Sequence, residues 1–213
     1  MREGSVTVPD LPALAWDAEG EWLAGATRRS SPNCDPRPAD AAIDLVVIHG
    51  ISLPPGEFGG EHIDALFANC LDENAHPYFA EIRSLQVSAH VLIRRDAQVV
   101  QYVPFSQRAW HAGESMFQGR AQCNDFSIGI ELEGADETLY EVVQYRRLAE
   151  LLGLIRKQWP AITRERIVGH CQVAPGRKTD PGPSFQWETL NALLDSGAVD
   201  PTSTEQIRKP PAQ

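Results

Sequence analysis

Residues 43–48, Ile-Asp-Leu-Val-Val-Ile, constrain this chain more than any other stretch. A nearly unbroken aliphatic and β-branched run of that length suits a strand buried on both faces, and such strands belong to sheets covered by helices on either side. Strand-like and helix-like periods alternate through the chain, the pattern of an α/β domain. The expected fold class is therefore α/β, as one compact domain within the 213 residues. Its body is placed at residues 20–195, after an N-terminal extension at 1–19 and before a flexible C-terminal tail at 196–213. Residues 1 to about 30 and 197–213 are rich in Pro, Ser, Thr, Gly and charge without apolar periodicity, so both ends read as loosely held.

Within the body, Ile63, Leu66, Phe67 and Cys70 recur at helical spacing. Val87–Arg94 and Val99–Val103 read as two strands of a hairpin around residues 95–98, with Ala97 where Gly would fit better. Phe126–Glu133 alternates: Ile128, Ile130 and Leu132 form a core face, and Ser127, Gly129, Glu131 and Glu133 form a face toward solvent or substrate. Thr138-x-x-Glu141 has the form of a capping box ahead of a helical stripe running from Val142 to Trp159 and closed by Pro160. A short strand at Ile167-Val168 leads into a Pro- and Gly-punctuated loop. Ser184 is the expected cap of a last helix carrying Trp187, Leu190 and Leu194.

Charge narrows the function classes. Nineteen Lys and Arg against 29 Asp and Glu leave a net charge of −10, which repels phosphate backbones and anionic lipid heads. Neither nucleic acid nor membrane is an expected partner, and no obligate protein partner is implied. There is no apolar run of spanning length. Glu3, Pro9, Asp10 and Pro12 stand where a secretory leader would be basic and then apolar, so the chain reads as cytoplasmic. Cys34, Cys70, Cys123 and Cys171 include no Cys-x-x-Cys pair and are expected to be reduced.

Two histidines sit immediately past short aliphatic strands, His49 after Leu45–Ile48 and His170 after Ile167-Val168-Gly169, where α/β sheets place functional groups. Ten residues beyond His170, Asp180 lies in a loop of prolines and glycines. Two imidazoles and one carboxylate would fill three positions of a tetrahedral zinc and leave a fourth for water, the arrangement of hydrolytic zinc. In the plainer alternative, Asp180 merely starts an Asp-Pro-Gly turn. If residues 178–180 are extended, Lys178 points to the same side as Asp180, where its ammonium could steady a developing oxyanion. Glu131 or Glu133 could serve as general base, and periodicity does not choose between them. Trp110 and His111 form a candidate substrate-binding pair for stacking on a sugar, or else a packed Trp beside a surface His. His90, His62 and His76 compete less well as ligands because none ends a strand before a glycine-rich loop.

Taken together, Val46–His49, Ile51–Gly60 (ISLPPGEFGG), Ser88–Asp96 (SAHVLIRRD), Arg108–Gly113 (RAWHAG), Cys123–Gly134 (CNDFSIGIELEG), Gly169–Cys171 and Arg177–Phe185 (RKTDPGPSF) resemble the zinc-dependent N-acetylmuramoyl-L-alanine amidases. The resemblance spans about residues 20–195 and is strongest to the cytoplasmic type that acts on 1,6-anhydro-N-acetylmuramyl peptides. It implies one zinc ion per chain held by His49, His170 and Asp180, with Glu131 as proton acceptor and Lys178 stabilising the transition state. It also implies a mixed sheet of five or six strands flanked by helices, as in peptidoglycan-recognition domains, and a muropeptide substrate met in murein recycling. Two other readings keep parts of this pattern: a muropeptide-binding module that does not cut, and a phage or envelope amidase acting on polymeric wall. The chain departs from the family pattern at Gly50, where Asn is usual, at Ala97, where the turn has Gly, and at Gly176, where Glu is common.

Overall fold

The computed structural model describes residues 11–196. Among them six strands form the central sheet: β1 (Thr27–Arg28), β2 (Leu45–Ile51), β3 (Val91–Ile93), β4 (Val99–Gln101), β5 (Ser127–Glu133) and β6 (Ile167–Gly169). Their spatial order is β6-β2-β5-β3-β4-β1. β6, β2, β5 and β3 run parallel, β4 turns back antiparallel to β3, and β1 lies parallel to β4. The sheet is mixed, as the resemblance implies.

Both faces are covered, which is why residues 45–48 carry no polar side chain. Val46 and Ile48 of β2, with Ile128, Ile130 and Leu132 of β5, pack under α3 (Val142–Gln158) and α5 (Trp187–Asp195). Leu45 and Val47 face the other way, onto Ala112, Cys123, Phe126 and Val173. A further cluster seats α1 (His62–Phe67) and α2 (Pro77–Ile82) against Leu92 and Val100.

Several local expectations are corrected. Residues 11–30 are not loosely held. The Leu14 N–H donates to Glu150 at 2.7 Å, and the Trp16 ring meets Phe105 and Trp159 edge-on at 5.2 and 5.6 Å. Too few large apolar residues fall in that segment to show a period, yet Leu14 and Leu23 are buried and Trp16 packs against the same core. The first 10 residues and the tail beyond 196 lie outside the described residues.

The helix at 63–70 stops at Phe67, because Asn69 turns into the left-handed region at φ 57° and leaves Cys70 exposed. Glu141, not Thr138, caps α3, with Gln144 Oε1 accepting from the Glu141 N–H at 3.0 Å. Thr138 instead bridges to Ala135. α5 begins at Trp187 with Gln186 as its cap rather than Ser184, whose N–H is held by the Asp136 carbonyl. The hairpin of β3 and β4 forms as expected but is shorter, and Ala97 at its turn does take φ 66°. β5 has no solvent face: all seven of its residues are buried.

Candidate metal centre

β2 and β5 pair in parallel with His49 beside Glu131. Paired residues share a face, so both side chains project to the side opposite α3. On the far side of β2, β6 pairs Gly169 with Ile48, and the chain leaves that strand directly into α4 (His170–Val173). His170 is thereby set next to His49. Asp180 is brought back by its own carbonyl, which accepts from the Cys171 N–H at 3.0 Å, and by the Tyr140 hydroxyl, which donates to the Pro181 carbonyl at 2.9 Å.

The three groups converge. His49 Nδ1 lies 3.0 Å from His170 Nδ1 and 3.1 Å from Asp180 Oδ2, and His170 Nδ1 lies 3.1 Å from the same oxygen. Among the described residues this is the one group of His, Cys, Asp and Glu whose ligand atoms gather so closely. His170 Nε2 sits 3.1 Å from the Ala112 carbonyl. A carbonyl only accepts, so His170 carries its proton there and turns a bare Nδ1 lone pair toward the Asp180 oxygen. Lone pairs facing one another at this distance repel unless a cation lies among them, and two imidazole nitrogens with a carboxylate oxygen are a donor set that zinc takes.

Burial sets the protonation of the cluster. It drives His49 down to about 4 against the pull of Asp180, so the imidazole is neutral near pH 7. Burial pushes the Asp180 carboxyl up, but the imidazoles of His170 and His49 outweigh it and hold the group well below the ordinary carboxylate range. Glu131 is pushed well above its ordinary value by burial and then by the Asp180 charge, with Lys178 opposing.

The two glutamates of β5 separate by their partners. Glu133 accepts from Arg94 at 3.2 Å, the Gly59 N–H at 2.6 Å and the Arg95 N–H at 3.2 Å, so its charge is spent on holding loops. Glu131 Oε2 is buried with no hydrogen-bond partner. An orphaned buried acceptor costs about 1–3 kcal/mol or more when charged, so its retention needs a reason, and the neighbouring cluster is one. Residues 178–180 belong to no strand, and Lys178 is exposed. Its positive charge nonetheless opposes protonation of both His49 and Glu131, which puts it within electrostatic reach of the cluster.

The other candidates have other duties. His90 is buried in β-sheet packing, accepting from the Gly129 N–H at 3.0 Å and lying stacked on Phe105. His76 caps α2 by accepting from the Tyr78 N–H at 3.2 Å, and His62 packs on Phe79. Trp110 and His111 differ in access: Trp110 is half-buried and His111 is buried. Trp110 donates to Asp35 at 3.1 Å, and His111 is buried with both ring nitrogens against protein groups. Tyr140 was not legible as a site residue, although Gly50 and Gly134 are traces of it: a Cβ on either would come within 2.2 Å of its side chain.

Comparison with known proteins adds an independent line. The sequence profile of the N-acetylmuramoyl-L-alanine amidase family matches residues 39–183. The 1,6-anhydro-N-acetylmuramyl-L-alanine amidase AmpD of Citrobacter freundii is 59% identical over 173 residues, covering 81% of this chain and 92% of that protein. A crystal structure of an AmpD selenomethionine derivative superposes with a TM-score of 0.81 at 57% identity, covering 84% of this chain and 99% of the other. The amidase AmiD of E. coli, solved in complex with anhydro-N-acetylmuramic acid-L-Ala-D-gamma-Glu-L-Lys, superposes with a TM-score of 0.53 at 28% identity, covering 85% of this chain and 65% of that one.

Proposed function

The chain belongs to the N-acetylmuramoyl-L-alanine amidase family, and from that premise we propose that it hydrolyses the amide between the lactyl group of 1,6-anhydro-N-acetylmuramic acid and the L-alanine of the stem peptide. The observation that carries this reading is the unpartnered, buried Glu131 oxygen on the strand next to His49, beside three ligand atoms that converge with His170 and Asp180. A binding module has no use for such a carboxylate, whereas a hydrolase needs a base there.

In this reading His49, His170 and Asp180 hold a zinc ion, which when bound supplies Lewis acidity and lowers the pKa of water toward about 7. Glu131, held in its proton-accepting position by β5, takes the proton of the water that attacks the lactyl carbonyl. Its raised affinity for protons suits it to keep that proton and then deliver it to the departing alanine amine. The Lys178 ammonium faces the oxygen that becomes negative as the carbonyl turns tetrahedral. The backbone of β2 and β5, with the step from β6 into α4, fixes the spacing of His49, Glu131 and His170, so these three need not move far during the reaction.

The substrate is a small soluble muropeptide, by likeness to relatives named for the anhydro sugar and to a neighbour solved with such a ligand. We place the reaction in the cytoplasm, in recycling of wall fragments. Among the described residues no helix is long and apolar enough to cross a membrane.

The test is release of the stem peptide from anhydro-N-acetylmuramyl-tripeptide before and after chelation. Activity should vanish on removing metal and return with about one equivalent of zinc per chain. Tight binding of the muropeptide by zinc-loaded protein without any cleavage overturns the hydrolase, and faster turnover of whole sacculi than of the soluble fragment overturns the substrate.

A further inference from the structure

His111 is a buried histidine that the reaction above does not use. Its Nδ1 lies 3.0 Å from His49 Nε2, and its Nε2 lies 3.1 Å from Ser127 Oγ, which in turn donates to the Cys123 carbonyl at 2.5 Å. The direction of every bond follows from that carbonyl, which can only accept. Ser127 spends its proton on Cys123, so its oxygen accepts from His111 Nε2–H. His111 Nδ1 is then bare and accepts from His49 Nε2–H. His49 is left with its lone pair on Nδ1, the atom aimed at His170 and Asp180.

The sheet is shaped to seat this ring. Gly129 lies on β5 under His111, and a Cβ there would come within 2.4–2.7 Å of three ring atoms. The loop bearing His111 also serves the second imidazole, because the Ala112 carbonyl accepts from His170 Nε2. Asn124 Oδ1 clamps that loop by accepting from the His111 and Ala112 N–H groups at 3.2 and 2.8 Å.

We infer that His111, anchored by Ser127 and seated on Gly129, is a positioning residue that locks His49 in the tautomer a metal requires. The inference rests on the reading of His49, His170 and Asp180 as ligands. An imidazole in this role is uncharged, unlike the carboxylates that commonly take it, so it orients His49 without adding a buried charge.

Zinc affinity, measured by competition with a chromophoric chelator, and the absorption spectrum of the cobalt-substituted protein together test it. His111→Phe keeps the ring and removes both nitrogens; it should weaken zinc roughly 10–100-fold and change the cobalt bands. His111→Asn returns an acceptor near the Nδ1 position and should recover most of the affinity. Folded His111→Phe binding zinc as tightly as the wild type with an unchanged cobalt spectrum overturns the inference, as does failure of His111→Asn to do better than His111→Phe. Should His111→Phe not fold, Ser127→Ala decides, since it frees the His111 tautomer while keeping the ring: a several-fold loss of affinity supports the lock, and wild-type affinity overturns it. If the wild-type protein itself binds no zinc, the ligand reading fails instead, and the two failures are told apart by that first measurement.

Discussion

Glu131 and Glu133 stand two apart on one face of β5, and alternation treats them alike; only their surroundings differ. Arg94 and two backbone donors occupy Glu133, whereas Glu131 Oε2 has none. Glu131→Gln keeps the shape and removes the base, so kcat on the anhydro-muropeptide should fall by roughly 10²–10⁴ while the melting temperature holds or rises. Glu133→Gln should do the reverse, leaving kcat within a few-fold and costing about 1–3 kcal/mol in urea denaturation, because it removes one of the two carboxylates on part-buried Arg94, which keeps Asp64 at 2.8 Å. Lys178→Ala should lower kcat by about a hundredfold or more, the typical loss of a preorganised oxyanion partner. A Lys178→Ala enzyme at near-normal rate would remove that residue from the chemistry. His49 and His170 were legible from their places by the ends of aliphatic strands, which converge in a parallel sheet, although β2 runs two residues past His49 to Ile51; Asp180 was legible from its loop. The choice of Glu131 over Glu133 as the proposed base was not, because it depends on partners brought from residues 59 and 94–95.

At the scale of elements, the sequence announces what repeats and hides what is singular. The stripe of α3 and the aliphatic run of β2 are periodic and were legible. The one-turn α4 and the small α2 have too few residues for a period, and the start of α3 was misplaced because Glu141 and Gln144 can cap as well as Thr138 and Glu141. Gly50 carries the clearest singular feature. It sits at the end of β2 one residue past His49, and a Cβ there would meet the Tyr140 hydroxyl at 2.2 Å while the Tyr140 Cζ stays 3.5 Å away. That hydroxyl holds the Pro181 carbonyl next to Asp180. Gly50→Ala should therefore cost about 1–3 kcal/mol by overpacking and loosen zinc binding. Tyr140→Phe alone should cost about 1 kcal/mol, a lost hydrogen bond. The double variant should be more stable than the sum of the two, since removing the hydroxyl makes room for the methyl. Additive losses in denaturant titrations would show that the two positions do not share that space.

Across the whole molecule, the α/β architecture and the covering of both sheet faces followed from the apolar run at 43–48, but the burial of uncharged imidazole between the layers did not, because a histidine reads the same in a core as on a surface. That burial has a consequence for acid stability. His90 lies among Arg37, Phe105, Gly129 and Gln107, and burial together with the Arg37 charge lowers it from 6.5 to about 3. Between those two values the unfolded chain binds a proton at this residue that the folded chain refuses. Stability therefore falls as the pH drops below about 6.5, is fully present above it, and is lost with a slope of up to about 1.4 kcal/mol per pH unit until the folded group titrates near 3. His49 and His111 are lowered by burial as well and steepen the slope in metal-free protein, so the zinc-loaded form isolates His90 best. Urea titrations at intervals from pH 7 to pH 4.5 should give a slope for wild type that exceeds that of His90→Gln by a large part of one proton. Parallel slopes for the two proteins would mean that His90 is protonated in the folded state or leaves its seat before the chain unfolds, and the neutral packing of the layer between β3 and β5 would then have to be abandoned.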